Sequence, residues 1–328
     1  MAGEGTSDVL AAMEADPLLA PYAEGLRPLA RSSVRLHVDR NAPRHTGESR
    51  VGGPPSAPPW FEWPTRRVEM PRPSEAWIAS QYFPPRLLPA DGISTFEFIA
   101  QVDLTEVAPF DVAGLLPRDG LLLFFYDEFY QSDITPTDEL RGTSRTLFEG
   151  RPQFHVSEFG FDQIDQVRVM HVPGTDLIRH DAGPHPKYAQ RLVPSQEWTL
   201  PSTDAYVVAP ASAPADELVG RVVLPEEVRA RYNDVQYDLR MNADICQMLG
   251  WEDNGAHGPS IAPEYARRWS QIPSADRLRE SLDARLLLQL SPAVYEPTGI
   301  RFGRTLYFYV RESDLRGGDF SRAWYDSD

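Results

Sequence analysis

The chain has a single cysteine, Cys246, in 328 residues. No intrachain disulfide can form, which fits a reducing compartment, and a zinc site built on several thiolates is excluded. Long apolar runs are missing too: nothing approaches the roughly 20 consecutive apolar residues of a membrane-spanning helix. The opening MAGEGTSDVLAAMEADPLLA carries acids, no basic stretch and no apolar core, so it does not read as a secretory signal. These absences lead to the expectation of a cytoplasmic chain. Positive charge is scarce: Lys and Arg total 32 against 48 Asp and Glu, a net charge of −16. Such a surface repels phosphate backbones and anionic bilayers, so neither nucleic acid nor membrane is expected as a partner. It would hasten encounter with a basic protein, although solubility alone also accounts for it.

The strong signatures of enzyme chemistry are absent as well. No G-x-G-x-x-G follows a strand, and there is no Walker lysine loop, no H-E-x-x-H and no G-x-S-x-G. Weaker constellations remain. IRHDAGPHPKY places His180, Asp181 and His185 in one Gly/Pro loop, but no ligand spacing is met, and neither metal nor cofactor is expected. His155 and His171 fall in expected strands and read as core or edge residues. Cys246 precedes an apolar Met-Leu-Gly-Trp run and reads as a small hydrophobe. The acid pairs Glu226-Glu227 and Glu252-Asp253 read as solvated faces, and the terminal WYDSD as a solvated end.

What the sequence does have is proline, 31 residues, about twice the usual share. The prolines are interspersed with aromatics and aliphatics, which predicts long ordered loops rather than disorder. The densest stretch is SRVGGPPSAPPWFEWP, residues 49–64, with no helix or strand period. Gly52 and Gly53 permit positive φ or close approach, and Pro54 and Pro55 stiffen the loop. Trp60 and Trp63 either hold this irregular segment down or leave one indole at its edge as a binding anchor.

Around that loop the patterns predict an α+β fold: a large mixed, mostly antiparallel sheet with an internally duplicated core and flanking short helices. Residues 7–31 read as helical, interrupted at Asp16-Pro17 because the residue before proline disfavours the α region. Strands are expected at 32–39, 94–104, 120–128, 153–156, 165–172, 188–193, 286–290 and 305–310. Helices are expected at 73–83 and 263–271, and one or two over 216–240, with Pro225 opening the second.

Two segments resemble each other. FIAQVDL followed by GLLLFFYDE matches LLLQLSP followed by GRTLYFYVRESDL. Gln101 then corresponds to Gln289, and Phe124, Phe125, Tyr126 to Tyr307, Phe308, Tyr309. The two diverged repeats span about 94–128 and 285–315, within a domain of residues 45–328 that follows an N-terminal helical segment and first strand, 1–44. A glutamine ending an apolar run needs partners for its amide; it either clamps a neighbouring loop or contacts a ligand.

Together these pieces resemble the YwqG-like proteins, the DUF1963 family. The resemblance rests on S-R-V-G-G-P-P-S-A-P-P-W-F-E-W-P; on F-I-A-Q-V-D-L with L-L-P-R-D-G-L-L-L-F-F-Y-D; on C-Q-M-L-G-W at 246–251; and on L-L-L-Q-L with Y-F-Y-V-R-E-S-D-L and F-S. It covers about residues 45–325. Cys246 stands where the family usually has histidine, T-G-I-R-F-G-R-T around 298–305 lacks the usual acid, and Ser291-Pro292 replaces the usual acidic continuation. A site built on that His and Asp would be lost here. The resemblance implies the duplicated α+β sheet, no agreed activity, and an accessory or immunity-type context in bacterial toxin systems. The expected function is therefore a non-enzymatic protein-binding module with a basic protein partner. The alternative is a small-molecule binder or enzyme with a pocket between the repeats, near Gln101, Gln289, Trp251 and the loop histidines.

Overall fold

A computed structural model describes residues 9–39, 45–67, 93–127, 167–240, 246–253, 271–300, 302–303 and 305–327. The segments at 73–83, 153–156 and 263–270, and His155, lie outside the described residues.

The strands in chain order are β1 (Arg31–Asp39), β2 (Arg50–Gly52), β3 (Ser56–Ala57), β4 (Thr65–Arg67), β5 (Ile93–Thr95), β6 (Glu97–Asp103), β7 (Leu121–Tyr126), β8 (Val167–Val172), β9 (Ile178–Arg179), β10 (Ala189–Thr199), β11 (Val208–Pro210), β12 (Val222–Leu224), β13 (Cys246–Met248), β14 (Ala284–Leu290), β15 (Leu306–Arg311) and β16 (Trp324–Ser327). The helices are α1 (Val9–Ala15), α2 (Ala20–Leu26), α3 (Leu104–Val107), α4 (Ala215–Leu218), α5 (Glu226–Arg240), α6 (Ser274–Asp283), α7 (Pro292–Tyr295) and α8 (Glu312–Arg316). As Asp16-Pro17 predicts, α1 stops there, and the Asp16 carboxylate accepts from the Leu18 and Leu19 amides at 2.9 and 3.2 Å to start the next turn.

Ten strands form one sheet in the order β16-β15-β14-β13-β1-β10-β2-β6-β7-β8, and every pairing in it is antiparallel. The parallel pairing sits in the small β11·β12 ribbon. The order is two-fold about the β1·β10 pair. On each side lie a short strand, a glutamine strand, an aromatic strand and an edge strand, and the first strand of each chain half sits beside the short strand of the other half. Register carries the relation to single residues. Gln101 faces Arg50 and Gln289 faces Gln247; a bulge falls at Ile99 in β6 and at Leu287 in β14, two residues before each glutamine.

The same register corrects the sequence match by one position. Ala100 faces Phe124 and Leu288 faces Phe308, so Phe124 corresponds to Phe308 and Tyr126 to Val310. Composition aligned the aromatics, whereas pairing fixes which face each one takes. Leu122, Phe124 and Tyr126 enter the central core, together with Leu306, Phe308 and Val310; Leu121, Leu123 and Phe125 enter a second cluster on the opposite face of β7. Phe124 and Phe308 touch, with ring centroids 5.3 Å apart, and Tyr126 lies 4.8 Å from Tyr325. Strands near opposite ends of the order thus meet, and the sheet curls around its main core.

Three further expectations change. The described part of the irregular segment expected from residue 49 to about 73 contains the short strands β2, β3 and β4, because Gly and Pro shorten strands without forbidding them. Within the WYDSD end, Trp324–Ser327 form the edge strand β16, with Trp324 and Tyr325 buried against the aromatic strand. The strand expected at 188–193 begins at Ala189, runs on through Pro194 to Thr199, and pairs with the whole length of β1.

Candidate functional site

Each glutamine clamps the loop that leaves the short strand beside it. Fully buried Gln101 accepts from the Ser56 amide at 2.9 Å and donates to the Glu48 carbonyl at 2.9 Å. Fully buried Gln289 accepts from the Asp253 amide at 2.9 Å and from Gln247 Nε2 at 3.0 Å, and donates to the Asp253 carbonyl at 2.9 Å. Both loops open in left-handed backbone: Gly52 at φ 70° and Gly53 at φ 66° in one, Leu249 at φ 70° in the other. At Gly52 a Cβ would lie 2.4 Å from the Tyr188 carbonyl oxygen, so close approach as well as φ requires glycine.

The two counterpart loops end differently. The loop at 249–253 turns inward. Trp251 is buried, donates to the Leu29 carbonyl at 2.6 Å, and carries the Arg31 guanidinium 3.5 Å above its ring. It joins the core formed by Val9, Met13, Leu19, Leu26, Leu224, Val228 and Tyr232, which fastens the N-terminal helices to α5. Glu252 and Asp253, expected on a solvated face, are buried instead: Asp253 binds Arg35 Nη1 at 2.9 Å, and Arg35 Nε binds Glu197 at 2.6 Å. Burial alone would lower the Arg35 guanidinium, but the Asp253 and Glu197 carboxylates hold it well above its ordinary value. A small cavity of about 10 Å³ lies among Arg31, Tyr206, Trp251 and Tyr309, room for about one water.

The loop at 52–63 turns outward. Its root is buried: Pro54 accepts from Arg50, and Pro55 accepts from the His180 amide at 3.0 Å. Burial, and then the neighbouring Arg179, lower Arg50 to about 10 against the pull of Glu48. β3 pairs with β9, and His180 Nε2 donates to the Ala57 and Pro58 carbonyls at 3.2 and 3.1 Å. Beyond the tip, Phe61 is buried and stacks on Phe125. Trp63 meets Phe125 edge-on, donates to the Phe96 carbonyl at 2.7 Å and packs against Gly183, where a Cβ would clash with the indole. Between these two clamps stands Trp60, 66% exposed. It borders an open cleft of about 660 Å³ lined by Pro58, Pro59, Trp60, Pro173, Thr175 and Asp176.

The structure thus gathers Gly52, Gly53, Pro54, Pro55, Trp60, Trp63 and Gln101 into one unit, and Trp251 and Gln289 into its counterpart. His180, Asp181 and His185 do not converge: His180 serves the loop backbone, Asp181 pairs with Arg179 at 2.8 Å, and His185 Nδ1 lies 3.0 Å from the Pro186 carbonyl oxygen. Cys246 is buried in β13. Sequence reasoning missed Asp176 and Pro173, which reach the cleft from over a hundred residues away, and the Arg35 ion pair. For the latter a signal existed: Arg35-Leu36 recurs as Arg191-Leu192, and by register Arg35 and Arg191 hold corresponding positions.

An α+β protein with a pseudo-symmetric antiparallel sheet and two glutamine-clamped loops is the class this geometry defines. The profile of the family described as Domain of unknown function (DUF1963) matches residues 49–328, and the chain belongs to that family. None of the curated proteins matches it. The matched residues begin after β1, although β1 is a central strand of the sheet.

Proposed function

We propose that this chain is a non-enzymatic protein-binding module that docks a basic partner through the Trp60 loop, and that it belongs with the YwqG-like members in an accessory or immunity-type role. The observation that carries the reading is one exposed indole between two rigid clamps. A large aromatic left 66% exposed on ordered backbone offers contact area at little ordering cost, which is how interface anchors work. The net charge of −16 supports a basic partner through faster encounter. The test is capture from native extract by the wild-type chain and by Trp60→Ala, compared by quantitative mass spectrometry. A basic protein that is stoichiometric with the wild type and depleted with the variant supports the reading. Equal capture by both removes Trp60 from it.

A further inference from the structure

We infer that the cleft beside Trp60 receives an arginine side chain of the partner, stacked on the indole and paired with the Asp176 carboxylate. This rests on the binding reading above and adds the chemistry of the contact. The described walls are three prolines, Thr175, the Trp60 indole and Asp176, so Asp176 is the one ionisable group among the described residues that line the cleft. Proline walls add no competing side-chain donors, and an anionic group beside an aromatic face selects a cation. Arginine suits it better than lysine: the guanidinium is planar, weakly hydrated, stacks on aromatic faces and meets a carboxylate with two bonds.

The chain itself contains the stacking half of this arrangement in the counterpart loop. There Arg31 lies 3.5 Å over Trp251 and donates to the Leu282 and Ala284 carbonyls at 2.9 and 3.0 Å. The tryptophans sit at different points along the two loops, but in one the indole already carries a guanidinium. In the other, among the described residues, an indole and a carboxylate line the cleft without a guanidinium.

The experiment is an NMR titration of the full chain with ¹⁵N-labelled indoles. The probes are the peptide acetyl-Gly-Arg-Gly-amide and its citrulline and lysine analogues. Trp60→Ala assigns the Trp60 signal; the residue is exposed, so the variant keeps the fold. Asp176→Asn removes the charge and keeps a side chain that tolerates the φ of 55° at this position. The arginine peptide is expected to shift the Trp60 signal, lysine to do so more weakly, and citrulline not at all. Asp176→Asn should weaken the arginine response about tenfold. Citrulline acting as well as arginine, an unchanged response in Asp176→Asn, or a proline-rich peptide displacing the arginine probe would each overturn the inference. Partner capture that needs Trp60 but not Asp176 would sink the arginine contact alone. Capture indifferent to Trp60 would sink the underlying binding reading.

Discussion

Gln101 and Gln289 show how much one side chain can fix. Each buried amide satisfies backbone groups that flank the short strand beside it, and replacing it leaves those groups without that partner. Gln101→Leu and Gln289→Leu are each expected to cost about 2–4 kcal/mol in urea unfolding, since each removes a backbone donor's acceptor and a backbone carbonyl's donor. A loss below about 1 kcal/mol would show that the loops stand without their clamps. Gly52→Ala should destabilise far more than Gly299→Ala. Both positions have positive φ, but a Cβ at Gly52 meets the Tyr188 carbonyl and Thr298, and one at Gly299 meets nothing within 4 Å; thermal melts of the two variants decide this. That a glutamine ending an apolar run is buried and satisfied was legible in the sequence. Which backbone groups satisfy it was not, because Glu48 and Ser56 approach only once β2 has paired with β6.

Between elements, corresponding positions have diverged in energetics. Arg35 is tied to Asp253, 1% exposed, and to Glu197, whereas Arg191 meets Glu106 and Glu48 with 30% of its own side chain open to solvent. Removing Asp253 leaves a buried guanidinium with one partner fewer, so Asp253→Ala is expected to cost about 3–5 kcal/mol. Glu106→Ala should cost about 1 kcal/mol or less, because its pair is screened; equal losses would contradict this ranking. Glu312 gives a pH dependence. Burial alone would raise its carboxyl, but its bonds to Arg285 and Arg316 outweigh burial and hold it below the ordinary 4.5. With the folded value depressed, the contribution is full above the unfolded value and is lost as pH falls through the folded one. The acid limb of a stability–pH curve should therefore be shallower in Glu312→Gln below about pH 4.5. The aromatic strands were legible as runs of buried type. Their faces were not, since a match by composition tolerates a one-residue slip that pairing does not. The edge strand β16 was hidden because Trp-Tyr-Asp-Ser shows no period-2 alternation.

For the whole molecule, the fold class came through because strand patterns and the repeated glutamine segments are local. The two-fold strand order, the exchange of first strands between halves and the closure of the sheet through Phe124 and Phe308 depend on contacts such as Gly52 with Ala189 and Phe124 with Phe308, far apart along the chain, and no local period encodes them. The proposed binding role belongs to the same scale. Of the two counterpart loops one is folded into the core and the other exposes its tip at Pro59 and Trp60, in a chain whose net charge is −16. Partner affinity should fall as salt is raised, mostly through slower association. The most direct test is calorimetric titration of the purified captured partner into wild-type protein and Trp60→Ala. The Trp60 anchor predicts binding at least about 30-fold weaker in the variant, the scale of an interface hot spot. Unchanged affinity in a folded Trp60→Ala protein would contradict it.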